Sequence, residues 1–158
     1  MAGNKESEEF MTKKDWEIVK SYGFMAIFTT IFLLIVLIGL SHAQNMDLTK
    51  AVIHHTASHD VSAKEIDRWH KERGWDGIGY HFLIRKNGDI EKGRPLYKQG
   101  AHAKGRNNWI GIALTGYDKF TKEQIASLKA LIKKLKIKYI EPHHEKCPGS
   151  GINLKEIL

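Results

Sequence analysis

The chain has 158 residues, one cysteine, and 25 Lys+Arg against 18 Asp+Glu; there is room for one domain of ordinary size plus an appendage, and an internal disulfide framework is excluded. Residues 1–43 carry a net charge of −1, which leaves +8 for the remainder, and a basic domain of that kind suits an anionic partner such as a membrane surface or a cell-wall polymer. No Arg/Lys run interleaved with aromatic residues occurs, so nucleic acid is not expected as a partner.

In chain order, residues 1–21 read as a polar tail. Tyr22–Leu40 (YGFMAIFTTIFLLIVLIGL) then runs for 19 residues without a charge. As a helix it would span about 28 Å, close to the ~30 Å hydrocarbon core of a bilayer. It also lacks the polar face that a core helix shows, so it reads as a transmembrane segment. Lys13, Lys14 and Lys20 precede it and only Lys50 follows closely. The positive-inside bias therefore leaves residues 1–21 in the cytoplasm and sends residues 44–158 outside. Small residues at Ser41 and Ala43 would allow cleavage before Gln44. The apolar stretch exceeds the usual signal core of about 7–15 residues, which favours an uncleaved anchor. A signal-arrest-release segment is a third fate, permitted by Gly23, Ala26, Thr29, Thr30 and Gly39 and opposed by the run Leu33–Ile38.

Residues 41–50 read as a polar linker. Ala51–His54 reads as a short buried strand. Ser62-Ala-Lys-Glu65 is a capping-box pattern; Ile66, Trp69 and His70 follow at helical spacing, and Gly74 supplies the stop. Tyr80–Arg85 reads as a strand, Asn87-Gly88 as a tight turn and Asp89–Lys92 as the return strand. Trp109–Leu114 is another strand. Thr121-Lys-Glu-Gln124 opens a second helix, with an apolar stripe of Ile125, Leu128, Leu131, Ile132 and Leu135. Lys129, Lys133, Lys134 and Lys136 on the opposite side read as a solvated face. Pro142 begins an irregular loop, and Ile152–Leu158 reads as a final short helix. The pattern predicts an α/β domain over residues 51–158, a mixed β-sheet flanked by helices, preceded by one N-terminal transmembrane helix.

Three residues stand out as metal ligands. His54 ends a strand, a rigid mounting; His143 lies in a loop; Cys147 follows it by four residues. Imidazole nitrogen and thiolate sulfur are the donors Zn²⁺ prefers, and catalytic zinc sites use three protein ligands plus water. His144 competes with His143 for the second position.

The segments Val52-Ile-His54-His-Thr-Ala57, Ile78-Gly-Tyr80-His-Phe-Leu-Ile84, Gly100-Ala-His102-Ala-Lys-Gly105, Trp109-Ile-Gly-Ile-Ala113 and His143-His-Glu-Lys-Cys147-Pro-Gly149 occur in that order. Together they resemble the zinc-dependent N-acetylmuramoyl-L-alanine amidases of the phage lysozyme type, which are also similar to the peptidoglycan recognition proteins. The resemblance covers nearly all of residues 50–158. It implies Zn²⁺ on His54, His143 and Cys147, and Tyr80 as the active-site tyrosine. It implies hydrolysis, by zinc-activated water, of the amide joining N-acetylmuramic acid to L-alanine. The partner is then peptidoglycan, reached from the inner membrane with the catalytic domain in the periplasm. Lys146 is the candidate for the family's catalytic lysine, but the loop before the cysteine is shorter here and Lys146 is adjacent to Cys147. His102, in its Gly-Ala-His-Ala-Lys-Gly loop, is a candidate substrate-binding residue, with Asn107, Asn108 and Trp109 following as groove residues. Trp69 and Trp75 read as packing residues. A non-catalytic peptidoglycan-binding protein and a host wall-remodelling amidase are the alternatives to a phage endolysin; the presence of Cys147 favours catalysis.

Overall fold

The computed structural model describes residues 12–41 and 45–158; the side chains of residue 15 and residues 37–41 are not described. The candidate cleavage position before Gln44 and most of the N-terminal tail lie outside the described residues. The chain divides into two units, residues 1–42 and 43–158.

The first unit is one helix, α1 (Lys13–Ser41), which begins nine residues before Tyr22. Within it Trp16–Val36, 21 residues, is long and apolar enough to cross a membrane, and none of that stretch is buried within the protein. The hydroxyls of Thr29 and Thr30 donate to carbonyl oxygens one turn back, Ala26 O at 2.9 Å in both cases. Polar atoms inside a lipid-exposed helix must be satisfied in that way.

The second unit is built on a five-stranded sheet. In chain order its elements are β1 (Asp47–His55), α2 (Ala63–Glu72), β2 (Phe82–Ile84), β3 (Ile90–Lys92), β4 (Trp109–Leu114), α3 (Lys122–Leu135) and β5 (Tyr139–Pro142), with a closing 3-10 turn at Leu154–Glu156. The strand order is β3-β2-β4-β1-β5. All neighbours are parallel except β2 and β3, which form the Asn87-Gly88 hairpin.

Side chains alternate across the sheet with period two. Ile53, Ile84, Ile110, Ile112 and Leu114 point to one face, where Leu128, Leu131 and Ile132 of α3 cover them. Leu83 and Ala113 point to the other, where Val61, Ile66 and Ile78 cover them. His54, Gly111 and His81 belong to this second face by the same alternation. The helix caps follow the sequence signals. Thr121 and Gln124 form a full capping box at α3. At α2 Ser62 accepts from the Glu65 N–H, while the Glu65 carboxylate turns to Arg68 instead of closing the box.

Three elements differ from their sequence expectations. β1 starts at Asp47, so residues 47–50 belong to the sheet rather than to a linker. β2 is shorter than Tyr80–Arg85, because the main chain at Tyr80 and His81 accepts from Arg94 and Gly93 outside the ladder. Tyr139–Pro142, ahead of the expected loop, is a strand paired with Lys50–Ile53.

Candidate active site

The parallel topology brings two ligand positions together. His54 lies at the carboxyl end of β1, and His143 directly follows β5, its N–H donating to Ile53 O at 3.1 Å. Cys147 returns to the same place through a tight turn: His144 N donates to Cys147 O at 3.1 Å, and Cys147 N donates to His144 O at 2.9 Å. The ligand atoms of His54, His143 and Cys147 all lie within 4.8 Å of one another. His54 and Cys147 are buried and His143 is half-buried. His144, the competing candidate, is exposed, and its Nδ1 accepts from Lys146 N.

The electrostatics suit a cation. Burial, reinforced by the rings of His102 and His143, pushes the His54 imidazole down to about 2. Burial also lowers His143, with His144 and Arg106 adding to it. Both rings are therefore neutral lone-pair donors at neutral pH, the form in which imidazole binds metal. Burial pushes the Cys147 thiol up, opposed by the His55 N–H, which lies 3.4 Å from Sγ. A cation would reverse that shift, because a coordinating thiol loses its proton.

Tyr80 completes the group. Its ring centroid lies 5.1 Å from that of His54 and 5.7 Å from that of His70. Burial, and then the nearby Cys147, raise its phenol to about 12, so it stays protonated across the physiological range. The glycine before it is dictated by packing. A side chain on Gly79 would run into the main chain of Ala101, whose N–H donates to Gly79 O at 3.1 Å.

The other expected residues lie as follows. His102 is half-buried beside His54, with both ring nitrogens engaged inside the protein. Asn107, not Asn108, organises the loop: its Oδ1 accepts from His102 N and Ala103 N. The Asn108 carbonyl accepts from Asp47 N at 2.8 Å. The half-buried Trp109 indole packs on Tyr139 and under the Lys50 ammonium. Lys146 is exposed, and its main-chain N–H donates to His144 Nδ1; the short loop turns its side chain to solvent.

Arg106 was not singled out from the sequence. Its guanidinium holds the Glu141 carboxylate at 2.7 Å, Pro142 O at 3.1 Å and His143 O at 2.7 Å. It thus fixes the main chain at His143. The acceptors are mostly carbonyls, which leave no mark in a sequence; the position of Arg106 in the His102 loop was the only signal.

The model of the family described as N-acetylmuramoyl-L-alanine amidase matches residues 44–150. The chain belongs to this amidase family. The amidase is 42% identical over 104 residues to the endolysin of Escherichia phage T7, covering 58% of this chain and 69% of that protein. It is 38% identical over 101 residues to peptidoglycan-recognition protein SC2 of Drosophila melanogaster, covering 54% of this chain and 53% of that one. Among solved structures it is similar to the N-acetylmuramoyl-L-alanine amidase LysC from Clostridium intestinale, with a TM-score of 0.65, 39% identity and coverage of 72% of this chain and 84% of that one. Drosophila peptidoglycan recognition protein SD follows with a TM-score of 0.60 at 26% identity, over 70% of this chain and 80% of that one. The amidase is a peptidoglycan hydrolase with the mixed α/β sheet of these relatives.

Proposed function

We propose that the amidase holds a zinc ion on His54, His143 and Cys147, and that this site cleaves the amide between the lactyl group of N-acetylmuramic acid and L-alanine of the stem peptide. The observation that carries this is the donor set: two neutral imidazoles and one thiol, with no carboxylate, within 4.8 Å of one another. Two nitrogens and a sulfur match a zinc site with an open position, and hard-cation sites built of oxygen do not look like this. When bound, zinc would polarise the scissile carbonyl and lower the pKa of a bound water towards ~7.

The chain's own groups supply the rest. Tyr80 keeps its proton, so its hydroxyl can donate to the carbonyl oxygen as negative charge develops there. The same Oη can relay a proton to the leaving amine. Lys146, in solvent, is not assigned a role. Metal analysis tests the centre: one zinc per chain is expected in the purified protein, and loss of it in Cys147→Ser. Stoichiometric zinc retained by Cys147→Ser would refute the ligand set.

We further propose that residues 1–21 are a cytoplasmic tail and that residues 22–40 anchor the chain in the inner membrane. The amidase domain, whose sheet begins at Asp47, then meets peptidoglycan in the periplasm as a phage endolysin. The apolar α1 and the lysines before Tyr22 support this reading. Protease added to spheroplasts should degrade the amidase domain; complete protection would contradict the orientation.

A further inference from the structure

The Gly100–Trp109 loop reaches the metal group through His102. Its Nε2 lies 3.2 Å from the carbonyl oxygen of Trp109. A carbonyl can only accept, so Nε2 carries the hydrogen. In the neutral ring Nδ1 is then a lone pair, and it lies 3.1 Å from His54 Nε2. His54 must therefore donate from Nε2, which leaves its Nδ1 as the free lone pair.

The slot that holds the His102 ring is built for it. Gly100 and Gly111 form its walls: a methyl group on either would fall 2.7 Å from His102 Nε2. His81, buried behind the slot, accepts from Gly111 N at 2.9 Å and donates to Lys98 O at 3.0 Å. Asn107 holds the main chain of His102 and Ala103 from the other end. The ring has no polar atom left for a sugar or peptide.

We propose that His102 is a positioning residue that fixes the Nε2–H tautomer of His54, making His54 Nδ1 the metal-binding atom. The inference rests on the zinc site proposed above. Metal ligands commonly depend on such outer partners, and their loss typically costs about 10–100-fold in metal affinity.

The test uses the full chain in detergent micelles, with zinc affinity measured by chelator competition and the ligand field read from the Co²⁺-substituted absorption spectrum. His102→Asn keeps an acceptor near the Nδ1 position, whereas His102→Gln keeps only the donor towards Trp109. His102→Ala and His102→Gln should weaken zinc about 10–100-fold and alter the Co²⁺ bands. His102→Asn should recover most of the loss. Gly111→Ala, which displaces an intact imidazole, should behave like His102→Ala. Thermal melts of the metal-free forms identify any variant that has failed to fold, and the remaining variants decide. Zinc affinity in His102→Ala equal to the parent's, with only KM raised, would overturn the inference in favour of a substrate contact. Recovery by Gln but not Asn would overturn it too. A parent chain that takes up no zinc refutes the metal site itself, and the positioning role with it.

Discussion

At the scale of single residues, two neutral imidazoles and a thiol that could hold a metal ion gather beside a protonated phenol. Tyr80→Phe removes the donor and leaves the ligands untouched. It should lower kcat by about 10²–10³-fold with zinc affinity unchanged; a drop in both would mean that Tyr80 acts on the metal site instead. The lowered imidazoles set a stability trend. In the metal-free protein, burial holds His54 at about 2 and His102 at about 4, both down from 6.5. Below pH 6.5 the unfolded chain takes up protons that the folded chain refuses, so stability falls as pH falls towards 4. Thermal melts of the chelated protein should show Tm decreasing through that window, and a flat profile would contradict the burial of these rings. The gathering of His54, His143 and Cys147 was legible in the sequence, because His and Cys carry their chemistry in their names. The supporting layer was not. The sequence suggests a substrate contact for His102 and gives no sign that both of its ring nitrogens are engaged inside the protein, and Arg106 works mainly on main-chain carbonyls.

At the scale of elements, strong periodicity made β4 and α3 readable to the residue, and the Thr121–Gln124 box fixed where α3 begins. The sequence was silent where pairing depends on distant partners. β5 carries Pro142 and alternates weakly, and it is a strand because Lys50–Ile53 lies alongside. β2 is the short Phe82–Ile84, preceded by Tyr80 and His81, whose carbonyls accept from Arg94 and Gly93. The loop carrying Arg106 is a load on β5: Arg106→Ala releases His143 O and should weaken zinc about tenfold by chelator competition. The sheet's other face is conventional core. Leu128 is fully buried between α3 and the strands, so Leu128→Ala should cost about 2–5 kcal/mol in urea unfolding. Gln124, also fully buried, donates to Ile84 O at 3.1 Å and Thr115 O at 3.0 Å. Gln124→Leu takes that donor from Thr115 O, while Ile84 O keeps the Thr115 N–H, and should cost about 1–3 kcal/mol.

For the whole molecule, two units of different surface character share one chain. The amidase unit carries the net positive charge and the chemistry; α1 is exposed apolar surface along Trp16–Val36. That division was visible in composition alone, because a charge-free run and a charged, motif-rich domain cannot be mistaken for each other. Their exact limits were not, since α1 extends through the lysines before Tyr22 and β1 reaches back to Asp47. Zinc-dependent amidase activity is measured directly by mass spectrometry of peptidoglycan digested by the full chain in detergent, with and without a chelator. Intact stem peptides beginning at L-alanine should be released, with release abolished by the chelator and restored by zinc. Release of sugar fragments instead, or stem-peptide release indifferent to the chelator, would contradict it.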